Sequence, residues 1–274
     1  MPGPAVVQSM LFVPGSRPER LDKAMAAGAD SVCIDLEDAV PADGKETARA
    51  AALAAIGRPG LAIRINGVAT RAGIADLLAL AEAPARPAHI YVPMVESPAE
   101  LKIIRSVLAD DSVGLIPLIE TVEGLDNAPA IAADPSVEMV MFGGGDFSAQ
   151  LGVALEWEPL LLARQRLVMA CAAANKPAMD VPFIKLDDAD GLAEETRRAK
   201  AIGFSAKAAI HPAQLDGIHS IFRPTLAQVA EAEEAIAAFA AAGGAAIRFN
   251  GRMLEAPIVR RYQQILAMKD KAHA

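Results

Sequence analysis

The chain has 274 residues, of which 53% are hydrophobic and 22% are charged, and its formal net charge is −8. This length and hydrophobic content predict a globular protein with one large α/β domain or two small ones. The negative charge and the lack of a Lys/Arg block argue against a nucleic-acid partner, because such partners are bound by positively charged surfaces.

Eight short runs rich in Val, Ile, Leu and Met recur along the chain. They are SMLFVPG, SVCIDLED, LAIRING, HIYVPMVES, VGLIPLIET, VEMVMFGGGD, KPAMDVPF and SAKAAIHP, which begin at residues 9, 31, 61, 89, 113, 137, 176 and 205. Runs that are apolar on both faces are typical of parallel strands. Alanine-rich segments with helical periodicity, such as SPAELKIIRSVLA, separate them and predict crossover helices.

Eight strand-plus-helix units predict a (β/α)₈ TIM barrel, a fold of about 250 residues. A doubly wound open sheet is the alternative fold, because it shares the strand–helix alternation. We predict the barrel over residues 1–225. Residues 226–274 contain two helical patterns joined by a glycine-rich turn and are predicted to form a separate C-terminal helical segment.

The cysteine spacing and the apolar segments indicate in which cellular compartment the protein resides. Cys33 and Cys171 lie in apolar stretches without CxxC spacing, which favours buried thiols and a reducing cytosol over a disulfide. MPGPAVVQSM lacks the features of a signal peptide, and AIAAFAAAGGAAI is too short to span a bilayer. We therefore expect a cytoplasmic protein without a membrane partner.

Polar residues follow the predicted strands, where the catalytic groups of a barrel lie. They are Asp35, Glu37, Asp38, Arg64, Asn66, Glu96, Glu120, Asp146, Asp180, Lys207 and His211. For any single residue, a solvated strand end is an equally good explanation. The pattern as a whole indicates a site at one rim of the barrel.

Glu120 and Asp146 follow consecutive strands, so their carboxylates would repel each other unless a cation lay between them. Two carboxylates that leave room for waters and substrate oxygens suit Mg²⁺, with Mn²⁺ as a substitute. The lack of clustered His or Cys argues against zinc. The alternative is that both carboxylates cap helix N-termini.

Two further features indicate anion binding. Arg64 lies in an apolar strand and is interpreted as a clamp for a substrate carboxylate, or else as an ion-pair partner of Asp35 or Glu37. The glycines at 143–145 allow backbone N–H groups to approach an anion, or else form a flexible turn.

Lysine and histidine residues that follow or lie in the predicted strands seven and eight suggest alternative chemistry. Lys207 and Lys185 raise the possibility of a Schiff-base aldolase. His211 stands where a general base would stand, but a His-Pro pair more often forms a structural turn, so we assign it no chemistry.

Several of these stretches together resemble one family. They are LFVPGSRPERLDKA, GADSVCIDLEDAV, IRIN, LIETVEGLDNAPAIA, FGGGDFSAQLG, GFSAKAAIHPAQL and NGRMLEAP, spread from about Ser9 to Lys271. In these stretches the chain resembles the citrate lyase β subunit and its relatives within the HpcH/HpaI aldolase group. The resemblance implies a barrel that cleaves or forms a carbon–carbon bond in a short-chain hydroxyacid or keto acid, often as its CoA thioester.

The resemblance also implies roles for residues. Mg²⁺ would be held by Glu120 and Asp146, and Arg64 would bind the substrate's carboxylate. Other residues of the mouth would be the acidic Asp35, Glu37 and Asp38 and the backbone of Gly144 and Gly145. Relatives form trimers or hexamers, in which the C-terminal segment caps a neighbouring subunit's site and supplies an acidic residue.

Two positions depart from the family pattern. Met94 replaces a lysine, which removes a positive charge, and Glu255 stands where the capping segment usually has a catalytic aspartate. One extra methylene keeps the carboxylate but moves it, and a displacement of about 1 Å can cost about 10²-fold in rate. We predict a Mg²⁺-dependent carbon–carbon lyase in which Arg64 binds the substrate and the proton is transferred by Glu255 from a neighbouring subunit, or else by Asp35, Glu37 or Asp38. The alternatives are a non-catalytic subunit that binds a keto acid or acyl-CoA, and the Lys207 aldolase.

Overall fold

A computed structural model describes the backbone of residues 7–272 and the side chains of residues 7–268. The chain divides into a unit from Val7 to Ile218 and a second unit that contains the residues from His219 onward. The predicted boundary at residue 225, and the predicted role of residues 226–274 as a cap on a neighbouring subunit, stay predictions.

The first unit is a closed barrel of eight strands in chain order. Each strand pairs in parallel with the next, and β8 returns to pair with β1. The strands are β1 (Ser9–Pro14), β2 (Ser31–Asp35), β3 (Leu61–Arg64), β4 (His89–Val92), β5 (Gly114–Ile119), β6 (Val140–Phe142), β7 (Ala178–Asp180) and β8 (Ala206–Ala209). The predicted (β/α)₈ barrel is confirmed, and the open sheet is excluded because the sheet closes on itself.

Helices connect the strands. They are α1 (Leu21–Met25), α2 (Lys45–Ala55), α3 (Arg71–Glu82), α4 (Pro98–Leu108), α5 (Val122–Ala132), α6 (Gly144–Leu151), α7 (Trp157–Ala173), α8 (Ala189–Ile202) and α9 (Leu215–Phe222). Short polar side chains fix where several of them begin. Thr121 Oγ1 accepts a 3.0 Å hydrogen bond from Gly124 N at the start of α5, and Ser97 forms a capping box at the start of α4.

The barrel interior is apolar at its centre and polar at one end. Its buried core includes Cys33, Ala62, Leu118 and Met141, each contributed by a different strand. Side chains two positions apart on a strand point to the same face. The residues two positions further along these strands, among them Asp35 and Arg64, therefore face the next layer inside the barrel.

The second unit is built from α10 (Leu226–Ala241), β9 (Ile247–Phe249), β10 (Arg252–Leu254) and α11 (Ala256–Ala272). The two strands form an antiparallel hairpin. Its small core contains Ala235, Leu254 and Val259. The predicted C-terminal helical extension is confirmed. Within residues 7–272, no helix has the combination of length and hydrophobicity that crossing a bilayer requires.

Candidate active site

A cavity of about 290 Å³ opens at the carboxyl ends of the barrel strands. Its polar wall consists of Asp35, Asp38, Arg64, Glu120 and Asp146. Its apolar wall consists of Phe12, Leu118, Met141, Leu155, Val181, Pro182, Ile184 and Ile210. Five predicted site residues therefore line one cavity, and they are four carboxylates and a single guanidinium.

Arg64 is the cation of this wall, and it is 8% exposed. Its Nε and Nη2 each donate a 2.7 Å hydrogen bond to one oxygen of Asp35, and its guanidinium lies 5.0 Å from the centre of the Phe12 ring. Its Nη1 lies 2.7 Å from Glu37 Oε2 and 3.4 Å from Asp38 Oδ2. The predicted ion pair is therefore present with both Asp35 and Glu37. Because Nε and Nη2 are both bonded to Asp35, a substrate carboxylate would have to compete with Glu37 and Asp38 for Nη1.

Glu37 is a half-buried carboxylic acid beside this guanidinium. Its Oε2 is buried and has no hydrogen-bond partner in the described structure, because the contact with Arg64 Nη1 lies outside hydrogen-bonding geometry. Burial raises the pKa of Glu37 to about 8, with the carboxylates of Glu120, Asp38 and Asp35 adding to the rise and Arg64 opposing it. A pKa of about 8 places the titration of Glu37 close to neutral pH.

Glu120 directly follows β5 and is a buried carboxylate of the cavity, with 4% of its surface exposed. Its Oε2 accepts a 2.7 Å hydrogen bond from the backbone N–H of Met94. Burial raises the pKa of Glu120 to about 7, and the nearby carboxylates of Asp146 and Asp38 add to the rise, while the Met94 N–H and Arg64 oppose it.

Asp146 lies in the first turn of α6 and has an exposed side chain. Burial raises its pKa, as does the carboxylate of Asp38, whereas Arg64 lowers it. Neither metal-ligand candidate is a helix cap, because α6 is capped by Gly143 and α5 by Thr121. The capping alternative for Glu120 and Asp146 is therefore wrong.

The three consecutive glycines have three different surroundings. A Cβ at Gly143 would lie 2.1 Å from Glu120 Cγ and 2.3 Å from Glu120 Oε1. A Cβ at Gly144 would meet side chains at 3.0 to 3.2 Å, and one at Gly145 would meet nothing within 4 Å. Gly143 and Gly145 line the cavity. The binding of substrate by the backbone of Gly144 and Gly145 stays a prediction.

The donor set fits a hard divalent cation. Among the described residues, no three His, Cys, Asp or Glu side chains form a metal-binding group, so the protein ligands would be Glu120 and Asp146. Mg²⁺ commonly uses one or two carboxylates and completes its shell with water and substrate oxygens. Burial raises the pKa of both groups, neighbouring carboxylates add to the rise, and a bound cation would favour their ionised forms.

Asp180 and Lys207 were expected at the mouth, but both are fully buried outside the cavity. Lys207 Nζ donates hydrogen bonds of 2.7 Å to Asp180 Oδ2, 2.7 Å to Val181 O and 2.8 Å to Glu195 Oε1. Asp180 also accepts a 2.9 Å hydrogen bond from Arg164 Nε. A Schiff-base lysine must be accessible to its substrate. Lys207 is fully buried and pairs with two carboxylates, so its surroundings are those of a structural ion-pair network.

Other predicted residues have local roles. His211 Nδ1 accepts a 3.2 Å hydrogen bond from Ala213 N, which is the structural turn expected of a His-Pro pair. Asn66 Nδ2 donates a 2.6 Å hydrogen bond to Asp76, and neither residue lines the cavity. Glu255 lies between β10 and α11 in the second unit, with an exposed side chain.

Sequence reasoning missed two backbone contributions to the site. One is the Met94 N–H, which donates to Glu120, and Met94 has a left-handed backbone with φ of 55°. The other is the lack of a side chain at Gly143. The run of glycines is visible in the sequence. The sequence does not show that the Glu120 side chain lies beside Gly143, the first of them.

Comparisons with known proteins agree with this geometry. A family model described as HpcH/HpaI aldolase/citrate lyase matches residues 8–212. Citramalyl-CoA lyase, mitochondrial, of Rattus norvegicus is 31% identical over 288 residues, covering 95% of this chain and 85% of the rat protein. The (3S)-malyl-CoA thioesterase of Cereibacter sphaeroides (strain ATCC 17029 / ATH 2.4.9) is 34% identical over 241 residues, covering 85% of this chain and 82% of the thioesterase. The crystal structure of CitE from Mycobacterium tuberculosis in complex with magnesium, acetoacetate and coenzyme A matches with a TM-score of 0.84 and 31% identity, over 99% of each chain.

Proposed function

The chain belongs to the HpcH/HpaI aldolase/citrate lyase family, and from that membership we propose a Mg²⁺-dependent carbon–carbon lyase that acts on a short-chain hydroxyacid as its CoA thioester. One observation carries the proposal: Glu120, Asp146 and Arg64 line a single cavity at the carboxyl ends of the barrel strands. That is where barrel enzymes perform their chemistry.

In the cleavage direction, the bond between the hydroxyl-bearing carbon and the thioester's α-carbon breaks. The hydroxyl loses its proton and becomes the keto oxygen of the released acid, and the bonding electron pair forms the enolate of the shorter thioester. That enolate then takes up a proton at carbon. The residues must therefore hold the acid, stabilise negative charge and transfer a proton.

Arg64 holds the acid end of the substrate through its Nη1 edge, while Asp35 fixes the guanidinium plane by two hydrogen bonds. Glu120 and Asp146 would hold Mg²⁺, which would supply Lewis-acid chemistry at substrate oxygens. Mn²⁺ would serve in its place, since both metals accept all-oxygen ligation. The Gly144 and Gly145 amides add hydrogen-bond donors for the keto-acid fragment.

Two carboxyl groups are available for the proton transfer. Glu255, reaching the cavity from a neighbouring subunit, is the first, because the family pattern has an acid at that position. Glu37 is the second, since a raised pKa of about 8 suits proton transfer near neutral pH. Asp35 and Asp38 contact the Arg64 guanidinium and add negative charge to the site.

The cavity favours a substrate with one free carboxylate. Arg64 is the only cation among the described residues that line it, and the residues of its apolar wall carry no charge. Met94, 41% exposed, brings no charge. A second carboxylate, as in citryl-CoA, would lose hydration against that wall without a partner. Malyl-CoA and citramalyl-CoA carry one free carboxylate and fit better.

We also propose a cytosolic homotrimer or hexamer. The family resemblance supports the oligomer, and the exposed position of Glu255 between β10 and α11 leaves its carboxylate available to a neighbour. Both cysteines, Cys33 and Cys171, are buried free thiols, which supports a reducing compartment.

The test is turnover of (S)-malyl-CoA, citramalyl-CoA, β-methylmalyl-CoA and citryl-CoA with Mg²⁺ and with EDTA. Keto acid and free CoA thiol are measured in parallel, because a lyase releases keto acid and keeps the thioester, whereas a thioesterase releases the thiol. We expect EDTA-sensitive keto-acid release from malyl-CoA or citramalyl-CoA. Thiol release without keto acid would favour a thioesterase, the activity named for the Cereibacter sphaeroides relative.

Glu120→Gln keeps the side chain's size but removes its charge, so we expect a rate loss of about 10²-fold or more. The matched control is Glu123→Gln, an exposed glutamate three residues away. Full metal-dependent activity in Glu120→Gln would refute the assignment. Keto-acid binding without turnover of any thioester would favour the non-catalytic subunit.

A further inference from the structure

Glu120 directly follows β5 and Gly143 directly follows β6, and these two strands are paired. The last register pairs between β5 and β6 are Leu118 with Met141 and Ile119 with Phe142, so Glu120 and Gly143 are the next pair. The Glu120 side chain occupies the space that a Cβ at position 143 would need, at 2.1 Å from its Cγ and 2.6 Å from its Cδ. Contacts under about 3 Å between such atoms do not occur.

The backbone at position 143 does not itself require glycine. Gly143 has φ of −96° and ψ of 74°, which is outside the left-handed region where glycine is favoured. Steric exclusion by Glu120 is therefore the reason that a side chain does not fit at this position.

Glu120 is also held from its other side. The Met94 N–H donates a 2.7 Å hydrogen bond to Glu120 Oε2, and Met94 adopts a left-handed backbone with φ of 55°. Non-glycine residues rarely adopt this conformation. Since Glu120 is buried, it has little space to rotate away from a group added at position 143.

We propose that Gly143 and the left-handed turn at Met94 are positioning residues that hold the Glu120 carboxylate in one orientation for a divalent cation. The cation part rests on the proposed function, in which Glu120 is a Mg²⁺ ligand. Groups that orient a metal ligand in this way raise the metal affinity about 10- to 100-fold.

The test is a double-mutant cycle with Gly143→Ala and Glu120→Ala, measured on the metal-free full chain by thermal unfolding. Gly143→Ala is expected to lower Tm by several degrees in the wild-type background and to have little effect in Glu120→Ala, where the colliding atoms are gone. Equal losses in both backgrounds would show a backbone effect and overturn the proposal. Gly44→Ala is the matched control, because its added Cβ meets atoms only at ordinary distances of 3.4 to 3.6 Å.

The second readout is Mn²⁺ affinity, measured by electron paramagnetic resonance without substrate. We expect Gly143→Ala to weaken Mn²⁺ binding about 10- to 100-fold and Gly44→Ala to leave it unchanged. Unchanged affinity in Gly143→Ala would refute the positioning role toward the cation. If the wild-type chain binds no Mn²⁺, the proposed metal site fails, while the Tm cycle still decides whether Gly143 and Glu120 are coupled.

Met94→Val provides an independent variant should Gly143→Ala fail to fold. A β-branched residue disfavours the left-handed conformation, so the N–H would turn away from Glu120 Oε2. A loss of Mn²⁺ affinity of about 10-fold or more is expected. Wild-type affinity in a folded Met94→Val variant would contradict the role of this turn.

Discussion

Asp35 and Arg64 form a buried two-point ion pair, with both hydrogen bonds 2.7 Å long. The two residues are register partners at the ends of β2 and β3, so the strand pairing itself brings them together. The pair fixes the plane of the guanidinium and directs Nη1 toward Glu37 and Asp38. This constrains how a substrate carboxylate can meet Arg64.

The first prediction concerns Arg64→Lys. Lysine keeps the charge but cannot donate two parallel hydrogen bonds to Asp35, so both stability and substrate orientation should suffer. We expect kcat/KM to fall about 10²-fold and the free energy of unfolding to fall by about 1.5 to 3 kcal/mol, the contribution of one charge-assisted hydrogen bond. Steady-state kinetics and urea denaturation provide the measurements.

Arg58→Lys is the matched control for that prediction, because the Arg58–Asp22 ion pair is largely exposed. Exposed pairs contribute about 0 to 1 kcal/mol, so Arg58→Lys should change neither quantity measurably. Wild-type kinetics in Arg64→Lys would show that the two-point geometry is not needed.

The second prediction concerns the buried network at Asp180. In Asp180→Asn, the Arg164 and Lys207 cations lose their shared carboxylate, and we expect the free energy of unfolding to fall by about 3 to 5 kcal/mol. Borohydride treatment of the wild-type chain with substrate should leave Lys207 unmodified in peptide mass spectra. A reduced adduct on Lys207 would revive the Schiff-base aldolase.

The third prediction is the pH dependence of stability without metal. Burial raises the pKa of Glu37 to about 8 and that of Glu120 to about 7, from an ordinary value of 4.5. The folded state therefore binds these protons more tightly than the unfolded state does. Their contribution to stability is complete below about pH 4.5 and is lost as the pH rises through 7 and 8, so Tm should fall by several degrees over this range.

Mg²⁺ should offset part of that loss, because it binds the ionised form of Glu120. The rise in Tm caused by Mg²⁺ should be larger near pH 8 than near pH 5, and binding near pH 6 should release protons. Differential scanning fluorimetry across pH measures the first effect, and calorimetry in two buffers measures the second. Glu120→Gln should reduce both the pH dependence of this Tm rise and the proton release. In the wild-type chain, a Mg²⁺ effect on Tm that is independent of pH would contradict the assignment.

The fourth prediction tests whether Glu255 acts across a subunit interface. Glu120→Gln and Glu255→Gln should each be inactive alone. If subunits exchange at random in an equal mixture, about one quarter of the sites would combine an intact Glu120 with an intact Glu255 from the neighbour. Mixing should therefore restore about that share of activity. No recovery after verified exchange would place Glu255 outside the neighbour's site, and Glu37→Gln kinetics would then test the second proton carrier.

The sequence by itself determined the barrel and the end of it where chemistry occurs. Eight apolar runs at regular spacing specify parallel strands, and the carboxyl ends of parallel strands meet at one rim. Glu120, Asp146 and Arg64 could therefore be assigned to a common mouth before any contact was known, and all three line the cavity.

Only the tertiary structure decided which strand-end charges face that mouth. Met179 and Ala206 point into the core, so the next residues, Asp180 and Lys207, point to the outer face and pair there. Because strands buried on both faces show no alternation of polarity, the sequence does not reveal which face a residue occupies.

The tertiary structure also decided what Gly143 and Arg64 contact. The β5–β6 register sets Gly143 beside Glu120, and the β2–β3 register sets Arg64 against Asp35. These neighbours are far apart in sequence. Their pairing follows from strand register and side-chain direction, which a linear pattern of residue types does not encode.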